Sequence, residues 1–558
     1  MTAPMRAADF TGSIGVAAQL VALNGTAKSA ATVQAVSFLG ISNLRTTMTA
    51  ALLQPGSVAD KLAAAGVHFD VLLGGFRPLA DSLGNAEAFA AAHPGAITAI
   101  EGPNEINLWP ISFAGQTGVA AAVSFIDAAA ARMSTGALTG AALYDFTGGL
   151  RTPATMADAS SAVSIHPYPQ NGDQPYNWLK AEAMSHAVPG KDMVITEAGY
   201  TTTIGASGFE GVDPLTQAKL TLNLLADAAV LGAEKTFLYQ LFDTGPAGGA
   251  EAGFGLFDAN GKPKLAATAI HNLTAILADP GADTFTPHDL GYTVSVLPQG
   301  AHTLLIEKSN GTYELMIWAE PDIWDQAGNR ALTAPGQDVT ITLGGGNASL
   351  KVFDPLLSAN PLASAQGNSI TARLTDHVLV VEIAGLPAGS AVAPAKFDAP
   401  IKFSGTTGAD VLTGAGGDDV LMGQGGADTI LGGGGADRII GGMGADVLWG
   451  GEGADSFVFL SVGESKPQAG ERDIIRDFSA AAGDRIDLTL LDANVRLAGN
   501  QDFTLGGDHF TGRAGELIQS YADHGVLVQA DLNCDRRADF SFLLGGAEQL
   551  LPVGAFLL

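Results

Sequence analysis

The chain has 558 residues, 47% of them hydrophobic, with a formal net charge of −29 at pH 7. That length calls for several cores rather than one, and that hydrophobic content excludes a disordered chain. The acidity opposes nucleic acid and anionic membranes, no apolar run reaches the length of a membrane span, and the single cysteine, Cys534, excludes an intrachain disulfide or a cysteine-built zinc site.

From about residue 10 to 275, strand-like apolar runs alternate with helix-like segments. The strand candidates are SIGVAAQL, ISNLRTT, HFDVLLGG, ITAIEGPNE, LTGAALYDF, AVSIHPYP, MVITEAGYT and TFLYQLFD. Between them, Val119, Val123, Ile126, Ala130 and Met133 predict one helix face. Asp213-Pro214 predicts a capped helix start, continued by Leu215, Ala218, Leu222, Leu225 and Ala229. Eight βα units predict a (β/α)8 barrel over residues 1–280. A doubly wound open sheet is the alternative, weakened by the absence of a Gly-rich nucleotide fingerprint.

The pattern then changes to period two. HTLLIEK and TYELMIW flank the turn signal Ser309-Asn310-Gly311, and DVTITL, SLKVFDP and HVLVVEI follow. This predicts an antiparallel β-sandwich over residues 281–390, with Trp318 and Trp324 in its core. A Pro/Ala/Gly-rich linker, 391–404, comes next.

Residues 405–458 are six ungapped copies of a nine-residue unit. Asp410, Asp419, Asp428, Asp437, Asp446 and Asp455 recur in register, each followed two places later by an apolar residue. The pattern G-G-x-G-x-D-x-U-x is that of the calcium-binding parallel β-roll. Glycines allow the turns, carboxylate and carbonyl oxygens suit Ca²⁺, and the apolar residues stack inside. Unliganded carboxylates at this spacing repel, so folding and Ca²⁺ binding are expected to be coupled. Residues 459–558 hold RDIIRDF, GDRIDL and the apolar end PVGAFLL. DLNCDRRADF spaces Asp531, Asn533, Asp535 and Asp539 as oxygen ligands but departs from the usual calcium loop at Cys534 and Arg536.

These repeats resemble the RTX proteins of Gram-negative bacteria, and the segment after them resembles the C-terminal, all-β domain of serralysin-type proteins. The resemblance implies export by a type I secretion apparatus through an uncleaved C-terminal signal. That agrees with a start, MTAPMRAADFTGS, that lacks the apolar core of a signal peptide.

The chemistry points to the barrel. Glu105 closes the fourth candidate strand in GPNE, and Glu197 closes the seventh in ITEAGY, at the barrel end where such folds place their chemistry. Strands four and seven face each other across the mouth. Paired carboxylates are what glycoside hydrolysis needs. An Asn-Glu pair alone means little; its weight comes from order and strand placement.

That order resembles the clan A glycoside hydrolases, retaining (β/α)8 enzymes. The resemblance implies Glu105 as acid/base and Glu197 as nucleophile, with carboxyl groups about 5–5.5 Å apart. It also implies that Arg45, in NLRTT, supports the nucleophile, that Asn104 binds a sugar 2-hydroxyl, and that His166 and Tyr168, in SIHPYP, stand beside the nucleophile. Trp109 and Trp178, in loops after strands four and six, are candidates for stacking on sugar or for capping the core. Gln240, between Tyr239 and Phe242, is the strand-eight candidate for substrate contact. FGLFDANGKPKLAATAIHNL resembles the closing segment of family 39 and family 5 members; strand eight lacks the tryptophan of family 5, and a barrel followed by a sandwich leans towards family 39.

The expectation is a secreted retaining glycoside hydrolase, with structural Ca²⁺ in the repeats and no cofactor for catalysis. It would act on an extracellular polysaccharide, in endo mode. The alternative is a non-catalytic carbohydrate-binding or surface protein on a degenerate barrel. H-E-x-x-H and G-x-S-x-G, marks of RTX proteases and lipases, do not occur.

Overall fold

The computed structural model describes residues 4–25, 28–73, 79–106, 108, 111–145, 159–188, 190–205, 211–244, 246–279, 281, 285–295, 297–298, 300–344, 346–386, 402–408, 410–413, 417–468, 470–497, 499–507, 509–522, 525–545 and 549–558. They form two compact units, Thr2–Pro394 and Ala395–Leu558.

The first unit opens with a closed barrel of eight parallel strands: β1 (Ile14–Ala17), β2 (Asn43–Thr46), β3 (His68–Leu72), β4 (Ile97–Glu101), β5 (Ala142–Tyr144), β6 (Ala162–Ile165), β7 (Asp192–Ala198) and β8 (Ala233–Leu238). Each of the eight candidate runs overlaps one of them, although β7 starts one residue and β8 three residues before its run. β8 closes on β1 through Thr236–Leu238 and Ile14–Val16. Inside, Ala99, Tyr144, Ala162, Val194 and Phe237 pack together. Gly15 makes this possible, since a Cβ there would lie 2.5 Å from the Phe237 ring.

The surrounding helices are α1 (Lys28–Leu39), α2 (Val58–Ala64), α3 (Leu79–Ala92), α4 (Gly118–Met133), α5 (Pro175–His186), α6 (Pro214–Val230) and α7 (Leu265–Ile276). α6 starts as its sequence dictates. The Asp213 carboxylate accepts from the Leu215 and Thr216 amides, and Pro214 occupies the first turn, where no amide is needed. The buried face of α4 holds Ile126 and Met133 of the expected set together with Ala121, Ala122, Phe125 and Ala129, while Val123 and Ala130 are partly buried against the same core. Val119, and Val123 on its other side, pack around Ile106 and Ile111 beyond β4.

A sandwich follows. β9 (Tyr292–Val294), β12 (Gln337–Leu343) and β15 (Ser369–Leu374) form one antiparallel sheet. β10 (Ala301–Glu307), β11 (Tyr313–Ala319), β13 (Ala348–Phe353), β14 (Ala363–Gly367) and β16 (Leu379–Ala384) form the other, joined by the short strand Met5–Arg6. The β10–β11 turn uses Gly311 at φ 78°, as the Asn-Gly signal requires. Trp318 and Trp324 are buried but not in the middle of the sandwich. They belong to the same apolar cluster as the barrel helices, and the Trp318 indole donates to Asp227 of α6 at 2.8 Å. An indole N–H needs an acceptor when buried, and the neighbouring helix supplies it.

The second unit begins as a parallel roll. Strands pair with those eighteen residues on, Val411 with Thr429 and Thr429 with Val447 on one sheet, Val420 with Arg438 on the other. Two nine-residue units therefore make one coil. Leu412, Leu421, Ile430, Ile439, Leu448 and Phe457 fill the interior, each contributing about 1.5–3 kcal/mol by leaving water. The coil continues into Asp473–Ile475 and Arg485–Asp487. A meander of Glu516–Ala522, Gly525–Asp531 and Phe540–Gly545 completes one sheet, and Phe556–Leu557 ends the other. None of the described helices is long and apolar enough to cross a membrane.

Candidate active site

Arg45 sits on β2 with its side chain inside the barrel mouth, 5% exposed. Its Nε and Nη2 donate to the two oxygens of Glu101 at 2.6 and 2.8 Å. Nη1 donates to Glu197 Oε1 at 2.5 Å, and Nη2 also reaches Asn104 Oδ1 at 3.0 Å. Such forked, charge-assisted contacts fix a guanidinium in position and orientation. Glu197 lies within β7. Glu105 lies four residues beyond the end of β4 rather than on the strand, at a φ of 43° that non-glycine residues rarely adopt.

His166 and Tyr168, just past β6, complete the cluster. Tyr168 donates to Glu197 Oε2 at 2.8 Å. His166 Nδ1 stands 3.3 Å from Glu105 Oε1 and 3.7 Å from Glu197 Oε2. Ligand atoms of Glu105, His166 and Glu197 all lie within 4.8 Å of one another. The Tyr168 ring is held edge-on by Phe254 and Tyr239 at centroid distances of 5.5 and 6.2 Å. Burial alone would raise the Glu197 carboxyl. His166, Arg45 and Tyr168 outweigh it and hold the group below the usual carboxylate range. Burial, then Glu197, pushes the Tyr168 phenol up, so it stays a donor.

Arg45, Asn104, Glu105, His166, Tyr168 and Glu197 are thus gathered at one end of the barrel. Gln240 is buried just beyond β8, its amide on the Glu251 carbonyl at 3.5 Å. It lines a cavity of about 420 Å³ with Gln19, Lys28, Phe242 and Asp243. Trp178 is in α5 rather than a loop, because Pro175 starts the helix three residues earlier; its indole faces Asp173 at 3.3 Å. Trp109 lies outside the described residues. Glu101 and Asp70 are the site residues that the sequence reading passed over. Each looks in sequence like the solvent-facing position of a half-buried strand, so no local signal marks it.

In the second unit the repeat carboxylates form ladders. Oδ1 of Asp428, Asp437, Asp446 and Asp455 accepts the backbone amide of Asp410, Asp419, Asp428 and Asp437, eighteen residues back. Asp473 and Asp484 extend the ladders beyond the repeats by accepting from Asp446 and Asp455. Oδ2 of Asp428, Asp437, Asp446, Asp455 and Asp473 is buried without a hydrogen-bond partner among the described residues. Burial first, then neighbouring carboxylates, raises Asp437 and Asp446 to about 7 and Asp455 to about 6. Turn glycines close over these oxygens: a Cβ on Gly423 would lie 2.3 Å from both Asp428 Oδ2 and the Gly441 carbonyl. Orphaned carboxylate oxygens beside turn carbonyls fit a hard cation such as Ca²⁺.

Residues 412–550 match the family model described as Peptidase M10 serralysin C terminal. Among solved structures, the chain is similar to a family 39 glycoside hydrolase from the gut symbiont Bacteroides cellulosilyticus WH2, at 15% identity and a TM-score of 0.46, covering 68% of this chain and 82% of that one. It is similar to the family 39 enzyme of Xanthomonas axonopodis pv. citri, at 15% identity and 0.45, covering 69% and 96%. A monomeric beta-xylosidase from Caulobacter crescentus CB15 has 15% identity and 0.44, covering 69% and 98%. No curated protein matches the chain.

Proposed function

We propose that the chain is a secreted, retaining glycoside hydrolase that cleaves O-glycosidic bonds of an extracellular polysaccharide by double displacement, in endo mode. The observation that supports it most is the meeting of Glu105 and Glu197, with oxygens within 4.8 Å. So close an approach supports direct attack by one carboxylate, for which carboxyl groups stand about 5–5.5 Å apart, over inversion, for which they stand about 6.5–9.5 Å apart.

Glu197, ionised and gripped by Arg45 and Tyr168, attacks the anomeric carbon. Glu105 gives its proton to the leaving oxygen, then takes one from the water that releases the sugar. Arg45 claims Asn104 Oδ1, which turns the amide nitrogen into the group that donates to a sugar hydroxyl. The likeness of 412–550 to a serralysin C-terminal domain supports export by a type I secretion apparatus. Asp410, Asp419, Asp428, Asp437, Asp446 and Asp455 would hold structural Ca²⁺, which supplies the positive charge their stacked carboxylates lack.

The test is Glu197→Gln assayed by reducing-end release from a polysaccharide panel with calcium present. A loss of about 10⁴-fold or more with an unchanged circular dichroism spectrum is expected. Full activity in the variant removes Glu197 from the mechanism. A wild-type chain that binds but releases nothing from any polymer favours the carbohydrate-binding reading.

A further inference from the structure

Beneath the two glutamates of the mouth lies a second acidic pair, Asp70 and Glu101, that the double displacement leaves unused. Asp70 is on β3, in register with Arg45 on β2, and Glu101 ends β4. They are 1% and 0% exposed. Glu101 takes two of the Arg45 bonds, and Glu197 and Asn104 take the others, so every guanidinium nitrogen is engaged. None of these bonds goes to Asp70, whose two carboxyl oxygens have no hydrogen-bond partner among the described residues.

The charged groups that act on Asp70 are Arg45 on β2, Glu101 on β4, and Lys235 and Glu234 on β8; the Tyr144 phenol on β5 also interacts with it. The Lys235 ammonium donates to Thr98 at 3.2 Å. A carboxylate so placed has lost its water and gained no donor, so the neutral acid is the stable form. One guanidinium that already serves Glu101 and Glu197 does not neutralise a third charge.

We propose that Glu101 and Asp70 are positioning residues for Arg45: Glu101 locks the guanidinium fork through both of its oxygens, and Asp70, as a neutral acid, leaves the remaining charge of Arg45 to Glu197. The role rests on the reading of Glu197 as nucleophile. Burial, ahead of repulsion from Glu101, raises the Asp70 carboxyl to about 8. Above that pH a third negative charge enters the pocket, competes for Arg45 and loosens its hold on Glu197. The pair of bonds that places the nucleophile then weakens without any contact to substrate changing.

Two measurements on the full chain with calcium separate this role from the hydrolase reading. The first needs no substrate. Infrared difference spectra of wild type against Asp70→Asn are expected to show a protonated-carboxyl stretch at neutral pH that fades as the pH passes about 8. Where that variant fails to fold, Asp70→Ser takes its place in the difference, because Asp227, Glu314 and Glu320 are also raised by burial and add to the wild-type band. A spectrum without that band overturns the proposal.

The second is kcat/KM against pH on dinitrophenyl β-glycosides of gluco-, xylo- and manno-oligosaccharides, which an endo-acting cleft can bind. Their leaving group needs no acid, so Glu105 does not shape the alkaline limb. Wild type is expected to fall by about tenfold or more above that limb, as for loss of one charge-assisted bond. Asp70→Asn, the neutral isostere, is expected to stay within about threefold of the wild-type plateau and remain flat to higher pH. Glu101→Gln is expected to lose about 100-fold in kcat at every pH with KM little changed. The same alkaline limb in wild type and Asp70→Asn overturns the positioning role alone. Turnover of none of the glycosides, with the infrared band present, counts against the hydrolase reading on which that role rests.

Discussion

Replacing Tyr168 with phenylalanine deletes one oxygen from the cluster and little else. The ring stays where it is, because Phe254 and Tyr239 clasp it from the side. What goes is the 2.8 Å bond to Glu197 Oε2. A hydrogen bond to a charged acceptor contributes about 1.5–3 kcal/mol, and about 1.4 kcal/mol corresponds to one pH unit. Tyr168 is among the groups that hold Glu197 low against the opposing effect of burial, so its removal raises the carboxyl. The acid limb of kcat/KM, measured on an activated aryl glycoside, is therefore expected to move up by about one to two pH units. His166 and Arg45 remain, so activity at neutral pH survives at about a tenth of wild type. An acid limb that stays put, or moves down, refutes the assignment of Tyr168 to the ionised nucleophile.

The remaining outcomes concern stability. Asp437, Asp446 and Asp455 are raised to about 6–7 in the folded chain, above their unfolded value near 3.8. Their contribution is therefore complete below about pH 4 and lost as pH rises through 6–7. In chelator, the melting of the second unit by calorimetry is expected to fall between pH 5 and 8. Saturating Ca²⁺ should restore it, by about 2.7 kcal/mol at 100 times the Kd; a melting curve indifferent to both pH and Ca²⁺ contradicts the cation assignment. Asp213→Ala removes both bonds that cap α6 and is expected to cost about 1 kcal/mol in urea unfolding. A change below a few tenths would mean that water caps the helix equally well.

The elements that could be read from sequence are those with their own repeat or their own boundary. The barrel strands are short apolar runs fenced by turn residues, and the roll declares itself through register. Where register stops, so does legibility: Asp473 and Asp484 carry on the ladders, yet twenty-seven and twenty-nine residues separate them from Asp446 and Asp455. The residues between fold out and return, and no periodic pattern marks the return. The buried acids of the barrel were hidden for another reason. Asp70 in HFDVLL and Glu101 in ITAIE look like solvent-facing positions of half-buried strands. Only closure of the barrel turns them inward, where they meet Arg45. Trp178 shows the limit of local reading as well, since its helix begins at a proline that reads equally well as a turn.

The cluster of Glu105, His166 and Glu197 has a ligand set, two carboxylates and an imidazole, that could also hold a metal ion. The groups behind it argue for the hydrolytic pair. A metal would draw on a carboxylate oxygen of Glu197, but Oε1 already accepts from the Arg45 guanidinium and Oε2 from the Tyr168 hydroxyl. Both donors stabilise the carboxylate as an anion, and the guanidinium opposes a dication placed beside it. Glu105 meets the cluster from the other side, with Oε1 at 3.3 Å from His166 Nδ1. Glu197 is thus built to stay charged, which is what the proposed nucleophile requires and what a metal ligand beside a guanidinium would not.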